Sequence, residues 1–228
     1  MDKRFLAVIG VIVVVFGGIL LFGGKHNSGS TGSTSNAQPT NHVTGDLSSK
    51  VTLVEYGDFE CPICGEYYPT IKQVEQKYDS TVKFQFRNLP LSSIHPNAFA
   101  GARAAEAAAN QGQFWGMHDL LYENQDPNGA SGWVASRDPL DDYFVGYAKQ
   151  LKLNVATFKK DFASSAANNR INADINAFSK TGQQEATPTF FLNGKYVSND
   201  KLVDSNGPSL AAFSKVLDAA LKSTGQSS

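Results

Sequence analysis

Cysteine is scarce in this sequence: the 228 residues contain only two, Cys61 and Cys64. No pair remains for a structural disulfide, so the fold must be stabilised by packing. Histidine is scarce too, with four residues, and none stands at a metal-ligand spacing from the cysteines. A zinc site would need a second pair of ligands, which the sequence lacks. We therefore expect no metal and no cofactor other than a redox-active Cys61–Cys64 disulfide.

Clustered basic charge is also absent. The formal net charge is −1 and no stretch is rich in lysine and arginine. Nucleic acid is therefore excluded as an expected partner, because its recognition depends on concentrated positive charge. The length suits one domain with a core of its own.

The two cysteines lie where a predicted strand meets a predicted helix. Val51–Tyr56 is apolar and β-branched apart from two polar residues, one of them Glu55, as expected of a buried strand. From Pro62 onward the apolar residues recur at helical steps. The buried stripe of this helix is predicted to comprise Cys64, Tyr67, Ile71, Val74 and Tyr78.

This placement gives the two thiols different chemistry. Cys61 precedes a proline that suits the first helical position, so it should lie at the open N-terminus, where free N–H groups and the helix dipole favour a thiolate. Cys64 lies one turn inside and can attack a mixed disulfide between Cys61 and a substrate. The sequence predicts Cys61 as the nucleophile and Cys64 as the resolving thiol.

The N-terminal region is predicted to anchor the chain. Phe5–Phe22 is an unbroken apolar run long enough to span a bilayer, and Lys3 and Arg4 place the N-terminus in the cytoplasm. A cleaved signal peptide is the alternative. We expect a cytoplasmic stub and transmembrane anchor over residues 1–24 and a flexible linker over residues 25–49. The protein would then be a single-pass cell-membrane protein with its catalytic domain outside the cytoplasm.

The rest of the chain predicts one domain over residues 50–222. Thr81–Leu89 alternates apolar and polar residues and completes a β-α-β unit with parallel strands. A helical insert follows over residues of about 92–182, where amphipathic helical patterns replace strand patterns. The polar tail 223–228 is predicted to be disordered.

A hairpin and a helix are predicted to close the domain. Asn193 and Gly194 separate two short apolar segments, which is a strong signal for a two-residue hairpin. The hairpin strands are predicted at Thr189–Leu192 and Lys195–Val197, and the closing helix at Ser209–Lys222.

Three motifs in this order resemble the DsbA-like thiol:disulfide oxidoreductases of the thioredoxin-fold superfamily. They are Phe59-x-Cys61-Pro62-x-Cys64, Phe114-Trp115-x-Met117-His118 and Ala186-Thr187-Pro188-Thr189-Phe190-Phe191. The resemblance implies an α/β thioredoxin-like fold with an inserted helical domain, here preceded by one N-terminal transmembrane helix.

The resemblance also implies roles for particular residues. Thr187-Pro188 would be a cis peptide facing the disulfide, with the Thr187 backbone pairing with substrate, whereas the sequence alone also permits a trans proline that opens a strand. Pro62 and Ile63 would contribute to substrate binding. Glu55 would be a buried acid that relays protons to Cys64, and the alternative is an ordinary polar position at a strand edge.

Ile63 departs from the family pattern, because the strongly oxidising members have histidine there. An isoleucine cannot stabilise the Cys61 thiolate, so a weaker oxidant is expected. Asp58 and Glu60 are interpreted as solvated loop carboxylates. His95 and His118 are interpreted as a helix-start residue and a packed helix residue.

The function predicted from these features is donation of the Cys61–Cys64 disulfide to exported proteins during oxidative folding. The expected partners are reduced or misoxidised exported proteins, the membrane through the N-terminal helix, and a membrane thiol reoxidase implied by the resemblance. A disulfide reductase or isomerase on the same fold is one alternative. A Cu(I)-binding metallochaperone is an alternative of another class.

Overall fold

The computed structural model describes residues 37–226 and has a five-stranded sheet at its centre. The strands of this sheet are β1 (His42–Gly45), β2 (Thr52–Gly57), β3 (Lys83–Asn88), β4 (Thr189–Leu192) and β5 (Lys195–Val197). Their spatial order is β1-β3-β2-β4-β5. β2 and β3 run parallel, as predicted, and the other neighbouring pairs are antiparallel. A separate ribbon is formed by β6 (Val203–Asp204) and β7 (Gly207–Pro208).

Helices cover the sheet on both faces. Apolar side chains of α1 (Pro62–Tyr78) and α7 (Leu210–Thr224) pack with one face of the sheet. Between β3 and β4 lie α2 (Ala98–Ala109), α3 (Phe114–Glu123), α4 (Val145–Gln150), α5 (Val155–Phe162) and α6 (Ser165–Ser179). A π-helical turn, Leu140–Phe144, leads into α4, and single 3-10 turns occupy Trp133–Ala135 and Asn199–Lys201.

The buried side of α1 is the predicted stripe. Cys64, Tyr67, Ile71, Val74 and Tyr78 are its buried residues, spaced so that they fall on one face of a helix. Cys64 is thereby held beneath the first turn, next to the end of β2.

One apolar cluster joins the dithiol to the helical insert. It includes both cysteines, Phe59 and Phe86 from the sheet side, and residues of α2 to α5. Trp133 is fully buried in it and donates from Nε1 to the carbonyl oxygen of Leu121 at 3.0 Å. The insert and the active-site loop therefore share one core.

The predicted linker is wrong at its C-terminal end, because β1 lies inside it. Thr40 donates from its N–H and its hydroxyl to the carboxylate of Asp174, at 2.7 and 2.6 Å. Nε2 of His42 lies 2.7 Å from Oε1 of Glu106, which is fully buried. These contacts fix a segment whose composition is that of a tether. Residues 25–36 of the linker lie outside the described residues.

The predicted disordered tail is also wrong over the residues described. α7 continues to Thr224 and ends at Gly225, whose left-handed φ of 74° suits glycine. Oε1 of Gln226 accepts a hydrogen bond from the N–H of Lys50 at 3.2 Å. The hairpin is observed where predicted, with Asn193 and Gly194 both at positive φ. The remaining bounds of the predicted domains stay predictions.

Candidate active site

Cys61 caps the N-terminus of α1. Its backbone is extended, with φ −66° and ψ 120°, and Pro62 occupies the start of the helix. The N–H of Cys61 donates to the carbonyl oxygen of Asp58 at 3.1 Å, and its own carbonyl accepts from Gly65 at 3.2 Å. Because the first N–H groups of a helix have no partner within it, the Cys61 sulfur lies where an anion is stabilised.

The Cys61 thiol contacts Thr187, which comes from the chain just before β4. Sγ donates to the carbonyl oxygen of Thr187 at 3.5 Å, and the Thr187–Pro188 peptide bond is cis. A hydrogen bond from the Cys64 thiol, then the Thr187 side chain and the N–H groups of Cys64 and Ile63, lower the pKa of Cys61 from 9.0 to about 6, although burial opposes them. Cys61 is therefore mainly a thiolate at neutral pH.

Cys64 has the opposite character. Burial first, then its hydrogen bond to Cys61 and the charges of Cys61 and Glu55, raise the pKa of Cys64 well above its usual range. The thiol is 1% exposed. Cys64 thus stays protonated unless a nearby base accepts its proton.

Glu55 is suited to exchange that proton. Burial first, and then the charges of Glu75 and Cys61, raise the pKa of Glu55 to about 8. The residue lines a cavity of about 10 Å³ together with Glu75, Trp115 and His118. That volume holds about one water molecule. A carboxyl that is neutral near pH 7 and lies beside two thiols can act as acid and as base.

The predicted substrate-binding residues flank Cys61 on two sides. Ile63 is 48% exposed and lies with Pro62 in an open groove of about 370 Å³. Thr187 contacts the thiol itself and does not line this groove. The other residues that line it are Gly65, Glu66, Tyr122, Gln125 and Pro127.

The interpretation of Asp58 as a solvated loop carboxylate is wrong, since the residue is 1% exposed. Its Oδ2 lies 2.7 Å from Nδ1 of His95 and accepts from the N–H of Leu91 at 2.9 Å. Its Oδ1 accepts from the N–H of Glu60 at 2.8 Å. The connection from β3 to α2 supplies the partners Leu91 and His95, which local sequence does not reveal.

Gln125 is a second residue that the sequence analysis missed. It follows α3, and its Nε2 donates to the carbonyl oxygens of Phe59 (2.7 Å) and Cys61 (3.0 Å). A methyl group at Gly65 would overlap the Gln125 amide. The insert thereby fixes the active-site loop. No periodicity or motif indicates these contacts, because Phe59 and Cys61 lie 66 and 64 residues before Gln125 in the sequence.

Within residues 37–226, no three side chains of His, Cys, Asp or Glu come together as a group that could hold a metal ion. Both cysteines are free thiols in this structure. The expectation that the protein uses only its own disulfide stays a prediction.

Comparison of the sequence with known families matches residues 37–219 to the family described as Thioredoxin. Among curated proteins, the chain is 41% identical over 154 residues to Na(+)/H(+) antiporter NhaA 3 of Salinispora tropica. It is 37% identical over 156 residues to Na(+)/H(+) antiporter NhaA 1 of Mycolicibacterium gilvum. Each match covers 68% of this chain but only 22% and 23% of the relative. The chain thus spans about a fifth of the length of these relatives.

Solved structures with the same fold include two proteins named BdbD and DsbA2. BdbD from Bacillus subtilis has a TM-score of 0.64 and 24% identity, covering 82% of this chain and 97% of that one. DsbA2 from Pseudomonas aeruginosa has a TM-score of 0.57 and 26% identity, covering 79% and 96%. The thioredoxin-like fold and the resemblance to the DsbA-like proteins are confirmed. The predicted enzyme class, protein disulfide oxidoreductase, is supported by both structural matches.

The predicted localisation as a single-pass membrane protein with an extracytoplasmic domain is wrong. The relatives that are membrane proteins are named as antiporters, and they match this chain over about a fifth of their length. In the part of the chain that the structure describes, no helix is both long enough and apolar enough to cross a membrane. The predicted stub and anchor, residues 1–24, lie outside that part.

Proposed function

This chain belongs to the thioredoxin family, and from that premise we propose that it is a thiol–disulfide oxidoreductase that donates the Cys61–Cys64 disulfide to exported proteins during oxidative folding. The observation that carries the proposal is the contrast between the two thiols. The pKa of Cys61 is lowered to about 6, whereas that of Cys64 is raised. A stabilised Cys61 thiolate favours the reduced form, so the disulfide tends to oxidise other thiols.

The reaction begins when a substrate thiolate attacks the Cys61 sulfur of the disulfide. A substrate–Cys61 mixed disulfide forms, the Cys61–Cys64 bond breaks, and Cys64 leaves with the bonding electrons. Cys64 then takes a proton, for which Glu55 is the neighbouring acid, since it is protonated below a pKa of about 8.

In the second step, another substrate thiolate attacks the substrate sulfur of the mixed disulfide. The substrate disulfide forms and Cys61 leaves as a thiolate, which its low pKa makes a good leaving group. The substrate has lost two electrons and the dithiol has gained them. A thiol reoxidase would return the dithiol to the disulfide.

Substrate binding is assigned to the two sides of Cys61. The groove lined by Pro62 and Ile63 offers an apolar surface to an unfolded chain, and the Thr187 backbone lies at the sulfur. A peptide strand held at Thr187 would place its cysteine against Cys61.

The test is disulfide transfer without any other oxidant. The oxidised protein is mixed with a reduced, unfolded protein whose activity requires disulfides, and free thiols are counted over time. We expect about one substrate disulfide for each protein oxidised. A Cys61→Ser variant should transfer none, and a Cys64→Ser variant should accumulate the mixed disulfide during the reverse reaction. If the reduced protein instead reduces the disulfides of the oxidised substrate faster than the oxidised protein forms them, a reductase or isomerase is favoured.

A further inference from the structure

A buried ion pair lies beneath the loop that carries Cys61. The side chain of Asp58 is fully buried and that of His95 is 15% exposed, with Oδ2 and Nδ1 2.7 Å apart. Asp58 is itself part of this loop and makes two hydrogen bonds within it. Its Oδ1 accepts from the N–H of Glu60, and its carbonyl oxygen accepts from the N–H of Cys61. The carboxylate is therefore fixed next to the reactive cysteine.

The charge of this carboxylate opposes the reaction. A buried negative charge disfavours a second negative charge nearby, so Asp58 alone would disfavour the Cys61 thiolate. Ile63, in the dipeptide between the cysteines, cannot supply a compensating positive charge. A protonated His95 can, and the hydrogen bond to Asp58, followed by the charges of Asp58, Cys61 and Glu60, raises the pKa of His95 against burial.

The groups that surround this histidine are all acidic. Asp58, Glu60 and Cys61 face it, and the Glu60 carboxylate is itself bound by the N–H of Asn97. Cys61 in turn interacts with Cys64 and Glu55. Within the described residues, His95 is the member of this group, with Asp58, Glu60 and Cys61, that can carry a positive charge.

We propose that His95 is a positioning residue whose imidazolium neutralises Asp58 beneath the dithiol and thereby keeps Cys61 reactive as a thiolate. This inference rests on the proposed thiol–disulfide exchange at Cys61 and adds to it a source of redox poise outside the Cys-x-x-Cys dipeptide. His95 acts through Asp58 and does not contact the substrate.

The test compares two histidines that make the same kind of contact. His95→Gln removes the imidazole beside Asp58, and His42→Gln removes one that lies 2.7 Å from the buried Glu106, on the edge strand β1. The Cys61 thiolate is titrated by its ultraviolet absorbance, and the disulfide is equilibrated with glutathione. We expect H95Q to lower the thiolate-to-thiol ratio at a fixed pH by about threefold to tenfold and to weaken the oxidant by a similar factor. H42Q should change neither.

Rescue separates electrostatics from loosening of the structure. In the Asp58→Asn/His95→Gln double variant no carboxylate is left to neutralise, so the Cys61 titration should return towards that of the wild type. A merely structural role of His95 predicts a larger defect in the double variant. If the double variant does not fold, His95→Lys carries the same test, because it restores a positive charge and should restore the titration.

Besides a larger defect in the double variant, two results would overturn the inference. One is an H95Q titration equal to that of the wild type, and the other is an equal shift in H42Q. Both measurements use the isolated protein and no substrate. Failure of disulfide transfer to a reduced protein would therefore refute the proposed function and leave the result on His95 intact.

Discussion

The Cys61 thiol donates a hydrogen bond to the carbonyl oxygen of Thr187, 3.5 Å away. The hydroxyl of the same Thr187 is buried and finds no hydrogen-bond partner within residues 37–226. Once Cys61 loses its proton, the sulfur needs donors and no longer an acceptor. Thr187 offers both, an acceptor for the thiol and an unused donor for the thiolate.

Replacing Thr187 with valine should therefore raise the pKa of Cys61, because the hydroxyl donor disappears while the shape is kept. The free energy of unfolding should change by no more than about 1 kcal/mol, since the hydroxyl makes no hydrogen bond in the dithiol form. Absorbance titration of the thiolate and urea unfolding measure the two effects. Thr187→Ser, which keeps the hydroxyl, is the control. An unchanged titration in T187V would show that backbone and helix N–H groups stabilise the thiolate alone.

Ile63→His should make the protein a stronger oxidant. Ile63 is half exposed beside Cys61, so a histidine there can add a positive charge and lower the pKa of Cys61 below about 6. The reduction potential should rise by about 30 mV for each 1.4 kcal/mol by which the reduced form is stabilised. Glutathione equilibration gives the potential, and Ile63→Gln controls for polarity without charge. If the histidine and glutamine variants have the same potential, the dipeptide does not tune the redox poise here.

Glu55→Gln should slow the steps that involve Cys64. A glutamine side chain cannot exchange a proton with the buried thiol, so attack of Cys64 on a Cys61 mixed disulfide should slow by about tenfold to a hundredfold. The first attack by Cys61 should change much less. Rapid-quench mixing with a small disulfide separates the two rates. Glu55→Asp, which keeps a carboxyl at this position, is the control and should retain more of the rate. Equal slowing of both steps would remove Glu55 from the proton relay.

As pH rises above about 6, the reduced protein should gain stability from the Cys61 thiolate and should lose stability from Glu55. The pKa of Glu55 is about 8 in the folded protein and about 4.5 when unfolded. Between these values the unfolded chain has lost a proton that the folded chain keeps, so a rise in pH favours unfolding. The slope from this group is at most about 1.4 kcal/mol per pH unit.

Urea unfolding at pH values of about 5, 6.5 and 8 measures this effect across the window in which the two states differ in bound protons. The difference between wild type and Glu55→Gln isolates Glu55 from the other acids, because a neutral glutamine contributes no such slope. Parallel pH profiles for the two proteins would mean that Glu55 is ionised in the folded state.

Local periodicity was sufficient to predict the elements that surround the dithiol. β2, α1 and the hairpin were predicted to within a few residues, because burial on one face imposes a repeat that is visible in the sequence. The stripe from Cys64 to Tyr78 is one example. Asn193 and Gly194 are another, since the turn itself requires positive φ.

Contacts between distant residues could not be predicted in this way. In the sequence, Asp58 has the features of a loop carboxylate. It is buried because the chain around Leu91 and His95 packs against it. Gln125 lies in a region with no repeat at all. β1 was missed because Thr40, just before the strand, and His42, within it, are satisfied by Asp174 and Glu106, whose positions depend on the complete insert.

β1 has a practical consequence for anyone who expresses this protein in pieces. The domain predicted from the sequence begins at residue 50, which makes Lys50 an inviting place to cut. A cut there would expose the edge of β3 and take away hydrogen bonds from two buried carboxylates, those of Asp174 and Glu106. Recombinant versions should therefore start upstream of Thr40, and a protease cut between residues 40 and 50 should be more damaging than its distance from the cysteines suggests.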